Sequence, residues 1–390
     1  MESKELSQMY VSNPEQNKET LTSYTSYTLQ GVRVPNPITR RYRDFASLRD
    51  KIIERWPGIY IPSLPHKQVV GSNDKEVIDM RIEMINRFCE QLSQIGCIFN
   101  SEEVETFIQE SNDIQKTLAT LQPHTYEELL KKYSASFLDY DENFDTLAGK
   151  SKQAKFLAAL KNILPRLRSF FQVVKNCRDK YTPIHNDANT IFHLLELYET
   201  DTLKEYTKKD DKEDEGKLVL VNQSKPDIQA GLTQVKESLI NPYNKLLDNI
   251  NGDILDTEAM IEALQSLNSL QDSYDSITKN CTSTTMQLNE LQAGKSNFKS
   301  MFSFKSREGT ITQLSEEKEK LEKDLNNLGQ VIKIATHNMD TEMRRFKNAN
   351  LDNYYAELML LQKGLQDNCK KTQQLWDSLL NEENIAKAEI

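Results

Sequence analysis

The chain has 390 residues, of which 37% are hydrophobic and 28% are charged, with only 12 glycines and 11 prolines. A chain of this length is expected to form two or three domains, and this composition favours long helices with narrow apolar seams over one large core. The formal net charge of −10 argues against general nucleic-acid binding, which needs positive surface, but it does not exclude local basic patches.

The first 112 residues carry the turn-rich part of the sequence, with six of the eleven prolines before residue 66. β-Branched and aromatic residues between turn formers predict strands, and apolar residues at helical spacing predict helices. The predicted strands lie near 9–11, 21–29 and 32–39, and the predicted helices at 45–56, 75–93 and 101–110. Residues 61–65 are expected to be an extended proline segment. We expect a tail over 1–5 and a compact α+β unit, with a three-stranded antiparallel sheet and helices, over 6–112.

Residues 113–140 are predicted to be an amphipathic connector. Five apolar or aromatic side chains share one helical face, namely Tyr126, Leu129, Leu130, Tyr133 and Phe137. Such a face suits either insertion at a membrane interface or docking onto the N-terminal α+β unit, and the pattern does not separate the two.

Residues 141–390 are predicted to form an all-α domain of three long, kinked helices. The helices are expected at about 141–206, 227–293 and 308–384. Prolines inside helices remove a backbone donor and crowd the preceding turn, so they predict kinks or breaks. The candidate positions in the first helix are Pro165 and Pro183, and the second helix is expected to bend near Pro242 or Gly252. The charge run at 208–217 is interpreted as a solvated interhelical loop.

The third long helix has the clearest periodicity. Two series of apolar residues, each spaced by seven, are offset by four and form an a/d seam interrupted by Lys318. The series are Leu314, Leu321, Leu328 and Ala335, and Leu325, Ile332, Met339 and Phe346. We expect these helices to pack against each other and against a second chain.

Between residues 33 and 67 the chain is locally basic, with eight cations against three anions. The cations are Arg33, Arg40, Arg41, Arg43, Arg49, Lys51, Arg55 and Lys67, and the anions are Asp44, Asp50 and Glu54. A patch of this sign attracts anions, although a bare arginine cluster is equally often a solvated face. More specific is the order of three signals, which are Arg40-Arg41-Tyr42-Arg43-Asp44-Phe45, Pro62-Ser63-Leu64-Pro65-His66-Lys67, and Arg81 seven residues before Phe88.

These three signals, in this order, resemble the PX domain family over about residues 6–112. The resemblance implies binding of phosphatidylinositol 3-phosphate. On the matching positions it implies that Arg41 grips the 3-phosphate and Tyr42 stacks on the inositol ring. It also implies that Lys67 meets the 1-phosphate and Arg81 the 4- and 5-hydroxyls. An arginine fork holds phosphate bidentately, whereas lysine acts as a point charge.

Four further positions bear on this resemblance. Asp44 and Phe45 are expected to be structural, with Phe45 in the core. Ser63 stands where many relatives have proline, and Met80 where many have a second arginine. These departures put specificity in question more than binding.

Two segments are candidates for direct membrane contact. Val69 and Val70 follow Lys67 where a PX domain dips an apolar loop into the bilayer, which would contribute about 2–4 kcal/mol, and packing within the loop is the equal alternative. Residues 294–308 interleave basic and aromatic side chains, which suits an anionic leaflet, and a hairpin turn is the alternative. The contact residues expected in this second segment are Lys295, Phe298, Lys299, Phe302 and Lys305.

Three long helices behind a PX domain resemble the BAR domain of the PX-BAR sorting nexins, and the basic-aromatic hairpin favours the sorting nexin 4-like group. The resemblance implies a BAR domain over 141–390 that forms a crescent-shaped homodimer, or a heterodimer with another BAR sorting nexin. It further implies sensing or generation of membrane curvature on the cytosolic face of early endosomes. The expected roles are sorting, recycling and autophagy.

Other functional classes find little support. The five cysteines show no CxxC spacing and the five histidines no metal-ligand pair, so we predict a reducing cytosol, no disulfide framework and no metal site. No phosphate-cradling glycine loop or nucleophile–base pair occurs, so we predict no catalytic residues, no cofactor and no enzyme. Without a run of ~20 apolar residues or a signal-peptide pattern at the N-terminus, membrane contact should be peripheral. The alternative function is a coiled-coil scaffold or tether whose PX-like head binds protein.

Overall fold

The computed structural model describes residues 8–18, 23–65, 75–109, 113–203, 208–209, 212–213, 241–293 and 307–379. The chain divides into two compact units. The first unit comprises 1–164 with 255–346, and the second comprises 165–254 with 347–390. Across the described ranges, no helix is long and apolar enough to cross a membrane.

The head, which is the part of the first unit up to residue 120, begins with a three-stranded antiparallel sheet. The strands are β1 (Tyr10–Lys18), β2 (Ser23–Gly31) and β3 (Val34–Arg41), in that spatial order. Between β2 and β3 the chain turns at Gly31, whose φ is +145°. A Cβ there would lie 2.5 Å from the carbonyl oxygen of Gln8, so only glycine fits. The predicted sheet is confirmed.

Five helices complete the head within the residues that the structure describes. They are α1 (Tyr42–Arg55), α2 (Lys75–Ser93), α3 (Gly96–Phe99), α4 (Glu102–Ile108) and α5 (Ile114–Thr120). Helix α1 begins three residues earlier than expected because the Asp44 carboxylate accepts the Arg41 backbone N–H at 2.9 Å and caps the first turn. Phe45 is fully buried, with its ring edge-on to Phe107 at 5.0 Å, which confirms its core role.

The connector forms helix α6 (Tyr126–Ser136), which begins with a capping box between Thr125 and Glu128. Tyr133 is fully buried, and its ring stacks on Trp56 with centroids 5.9 Å apart. The Tyr133 hydroxyl donates to the carbonyl oxygen of Pro57. The amphipathic face therefore docks onto the head, and the structure favours docking over membrane insertion.

Three long helices follow, as predicted. They are α7 (Thr146–Tyr198), α8 (Tyr243–Gln292) and α9 (Arg307–Leu379), and a π-helical turn, Glu199–Leu203, continues from α7. Helix α7 runs through Pro165 and Pro183 without a break, and α8 runs through Gly252. Residues 214–240, which include the predicted start of the second long helix, lie outside the described residues.

The charge run at 208–217 is not entirely a loop. Two short strands, β4 (Lys208–Lys209) and β5 (Lys212–Glu213), pair antiparallel, with Lys208 opposite Glu213.

The central part of the α9 seam is buried within the chain. Leu328, Ala335 and Met339 have no exposed surface and belong to one hydrophobic cluster with the head and α6. Val331 and Ile334, outside the a/d series, are also buried. This stretch is therefore wider than a two-helix seam and finds its partners in the same chain.

Candidate functional site

Two adjacent arginines at the end of β3 have different environments. Successive side chains of a strand alternate between its faces. Arg40 is buried, and its guanidinium donates to the carbonyl oxygens of Phe107 at 2.8 and 3.2 Å and of Gln109 at 2.6 Å. Burial lowers the pKa of Arg40, with Asp44 opposing the shift. Arg40 therefore ties β3 to the end of α4 and is a structural residue.

Arg41, by contrast, is half-exposed at the start of α1. Its Nε lies 3.6 Å from Oδ1 of Asp44, and its guanidinium carbon lies 5.6 Å from the ring centroid of Tyr24. The second hydrogen-bonding partner of Asp44 is Gln115, whose Nε2 donates at 2.8 Å. The Arg41 guanidinium is thus loosely oriented and accessible, as a phosphate ligand must be.

Tyr42 and Arg81 form the next part of the site. Arg81 comes from α2, is buried, and places its guanidinium carbon 5.4 Å from the ring centroid of Tyr42. The Tyr42 hydroxyl donates to the carbonyl oxygen of Pro65. Burial raises the pKa of both Tyr42 and Tyr27, and the positive charge of Arg81 partly offsets both shifts. Arg81 is therefore held against two neutral tyrosines, with its side-chain position fixed by packing.

An open cleft of about 410 Å³ lies beside Tyr42. On the head side, α1 and the proline segment line it with Tyr42, Ala46, Arg49, Asp50, Ser63, Leu64 and Pro65. On the other side, α8 lines it with Leu255, Glu258, Ala259, Glu262 and Gln265. Arg49 lies in this cleft, where its Nη2 contacts Oε2 of Glu262 at 2.6 Å. Burial raises the pKa of Asp50, Arg49 opposes this shift, and Glu262 adds to it.

Of the four predicted head-group residues, the structure places Tyr42 and Arg81 against each other, and Arg41 directly before Tyr42 at the start of α1. The fourth, Lys67, lies outside the described residues, and so do the predicted membrane contacts Val69, Val70, Lys295, Phe298, Lys299, Phe302 and Lys305.

Sequence reasoning did not identify Tyr27 or Arg49 as neighbours of the site. Arg49 follows Tyr42 by seven residues, which places both on one face of α1, so helical spacing could have identified it. Tyr27 carries no comparable signal, because its place opposite Arg40 depends on the strand register. Within the described residues, no group of three His, Cys, Asp or Glu could hold a metal ion.

Fold and site together define an α+β module, with Arg41, Tyr42 and Arg81 on its surface or in its core, joined to long helices. Residues 33–111 match the family model described as PX domain. The chain is 22% identical to mouse sorting nexin-33 over 207 residues, which is 46% of this chain and 36% of that protein. It is 28% identical to sorting nexin 1 of Arabidopsis thaliana over 156 residues, or 36% of this chain and 39% of that protein. The matched segments therefore span less than two fifths of these relatives.

Among solved structures, the chain is similar to one from the cryo-EM structure of the SNX-BAR Mvp1 tetramer. The TM-score is 0.48 at 17% sequence identity, covering 96% of this chain and 100% of that one. The family match and the sequence relatives confirm the expected resemblance. Residues 33–111 therefore form a PX domain, and the chain is similar in sequence to sorting nexins.

Proposed function

We propose that this chain is a peripheral membrane protein that binds phosphatidylinositol 3-phosphate and takes part in endosomal sorting and recycling. Arg41 would grip the 3-phosphate, Tyr42 would stack on the inositol ring, Arg81 would meet the 4- and 5-hydroxyls, and Lys67 would meet the 1-phosphate. The PX match and the sorting nexin relatives support a membrane-associated sorting function. Early endosomes, the cytosolic face and a role in autophagy are part of the same proposal.

The observation that carries this proposal is the contrast between Arg40 and Arg41. Arg40 uses its donors on protein carbonyls, whereas Arg41 is half-exposed beside Tyr42. Arg81 is buried against the same tyrosine. A site with one accessible and one fixed guanidinium can grip a phosphate with the first and donate to hydroxyl oxygens with the second.

The second part of the proposal is dimerisation through a BAR-type helical domain over about 141–390. Large apolar side chains are exposed on the second unit, and such surfaces commonly mark interaction sites. On α7 they include Ile191, Leu194 and Leu197, and on α9 they include Leu351, Tyr355 and Met359. Either a second copy or another BAR sorting nexin would cover them. Two heads on one dimer would then raise membrane affinity through effective concentration.

Liposome co-sedimentation tests the lipid-binding proposal. Vesicles carrying phosphatidylinositol 3-phosphate are compared with vesicles carrying other phosphoinositides, for the wild type and for Arg41→Ala. Loss of a charge-assisted bidentate contact should weaken selective pelleting at least about tenfold. Arg43→Ala is the matched control, because Arg43 lies two residues further along, is exposed and is not a proposed ligand.

The outcomes separate the alternatives. Equal pelleting of wild type and Arg41→Ala on any anionic vesicle would assign binding to basic residues of the helical region. Absence of pelleting on every vesicle would instead favour the coiled-coil scaffold whose head binds protein.

A further inference from the structure

The proline segment, residues 61–65, forms one wall of the cleft beside Tyr42. It has no regular secondary structure, so side chains must satisfy its backbone groups. Arg49 donates from Nε to the Pro62 carbonyl oxygen at 2.7 Å and from Nη2 to that of Ile61 at 3.4 Å. The Tyr42 hydroxyl donates to the Pro65 carbonyl oxygen. Arg49 and Tyr42 thus set the path of this segment from the head side.

Helix α8 holds the same segment from the other side. Asp256 accepts a hydrogen bond from Ser63 Oγ at 3.0 Å and pairs through its other oxygen with Arg87. Glu262 accepts from Arg49 Nη2 at 2.6 Å. The Arg49 guanidinium therefore links the two elements, because it donates to carbonyl oxygens of the proline segment and to a carboxylate of α8.

We infer that Asp256 and Glu262 are positioning residues for the head-group site. The inference rests on the proposed function, because it extends the role of that site to two carboxylates of the helical region. Asp256 acts through Ser63, and Glu262 acts through Arg49. Neither is expected to touch the lipid.

The physical reason is preorganisation. A segment without a hydrogen-bond ladder samples many conformations unless it is held, and binding must then order it. With Asp256 and Glu262 in place, the wall beside Tyr42 is ordered before the ligand arrives. When one of the two carboxylates is removed, part of the binding free energy goes into ordering the proline segment. The affinity therefore falls while the contacts to the ligand stay the same.

The test uses the full chain and a water-soluble, short-chain phosphatidylinositol 3-phosphate, titrated by calorimetry. This probe has no bilayer, so avidity and helical membrane contacts do not contribute. Asp256→Ala and Glu262→Ala should each weaken binding about three- to tenfold, the effect of losing one hydrogen bond of ordinary strength. Because the Glu262 side chain is 46% exposed, its removal leaves no buried cavity, and this variant carries the test if Asp256→Ala fails to fold.

Two further variants distinguish positioning from general loosening. Ser266→Ala is the matched control, since Ser266 Oγ accepts from the Gly58 N–H at 3.0 Å at the same helix–head contact but does not touch the proline segment. It should bind within about twofold of the wild type. If Asp256 acts through Ser63, combining Ser63→Ala with Asp256→Ala should cost no more affinity than the larger single change.

Each outcome decides. If the wild type binds and both carboxylate variants bind as tightly as the wild type, the positioning inference fails and the proposed function stands. An equal loss for Ser266→Ala would also overturn it, because the effect would then follow from a loosened interface. If the wild type does not bind the soluble lipid at all, both the proposed function and the inference fail.

Discussion

Replacing Arg40 with alanine should destabilise the head strongly, although Arg40 lies next to the proposed ligand Arg41. The substitution removes three hydrogen bonds to the carbonyl oxygens of Phe107 and Gln109 and leaves both oxygens without these donors. Hydrogen bonds from a charged donor contribute roughly 1.5–3 kcal/mol each, and they are not additive when they share one group. The substitution also removes the cost of burying a charged guanidinium, which offsets part of this destabilisation. We therefore expect a loss of about 3–5 kcal/mol in the free energy of unfolding.

Arg41→Ala is the matched control for this experiment. The Arg41 side chain is 39% exposed, and its nearest carboxylate contact, to Asp44, is 3.6 Å long. Pairs of this kind contribute little after screening by solvent, so the expected loss is below about 1 kcal/mol. The two neighbouring arginines should thus differ by several kcal/mol in stability, while only Arg41→Ala should abolish lipid binding in a folded protein.

Urea unfolding followed by tryptophan fluorescence measures the difference. The chain has two tryptophans, and in a Trp376→Phe background the remaining signal comes from Trp56, which is buried in the head against Tyr133. The midpoint for Arg40→Ala should fall clearly below those of the background protein and Arg41→Ala, with similar slopes. Equal midpoints for the two variants, or a lower one for Arg41→Ala, would refute the assignment of structural and binding roles.

Two other changes test the head and its connector. Tyr133→Phe removes the donor to the Pro57 carbonyl, so the free energy of unfolding should fall by about 1 kcal/mol and hydrogen exchange over 126–136 should become faster. Unchanged exchange would count against docking of α6 through this bond. Burial lowers the pKa of His124, with Lys132 and Arg55 adding to the shift and Glu103 and Glu128 opposing it. As the pH drops below the ordinary value of 6.5, His124 is therefore protonated in the unfolded chain before it is protonated in the folded one, and the free energy of unfolding should fall. His124→Asn should therefore reduce the fall in urea midpoint between about pH 7.5 and pH 5.5, and an identical fall in both proteins would exclude this histidine as the cause.

Local patterns predicted most of the elements correctly. The strands, the longer head helices and the three long helices depend on side-chain periodicity and turn residues within one segment, which the sequence displays directly. Helices α3 and α5, of four and seven residues, were not predicted, because such short elements show a period only weakly, although α4, also of seven residues, was predicted. The resemblance also singled out Tyr42 and Arg81, which the structure places against each other.

The sequence could not predict contacts that join distant segments. Trp56 and Tyr133 are 77 positions apart by their numbers, and nothing in the amphipathic face of α6 names the head as its partner. Similarly, Arg49 and Glu262 are separated by 213 positions. A basic residue in a basic patch is equally consistent with a ligand, a solvated side chain or a structural ion pair, and only the tertiary fold separates these roles for Arg40, Arg41 and Arg49.

These long-range contacts bear on how the head is expected to work. The PX match ends at residue 111, but the hydrophobic cluster of the head continues into α6, α8 and α9 through Tyr133, Leu264 and Leu328. Polar contacts from α8 reach the proline segment beside Tyr42 in the same unit. Because packing is dense on both sides of this boundary, a change in α8 can alter the order of the proline segment without touching the site itself. We therefore expect the head and the helices that support it to bind as one unit, with an affinity that depends on Asp256 and Glu262 as well as on the arginines.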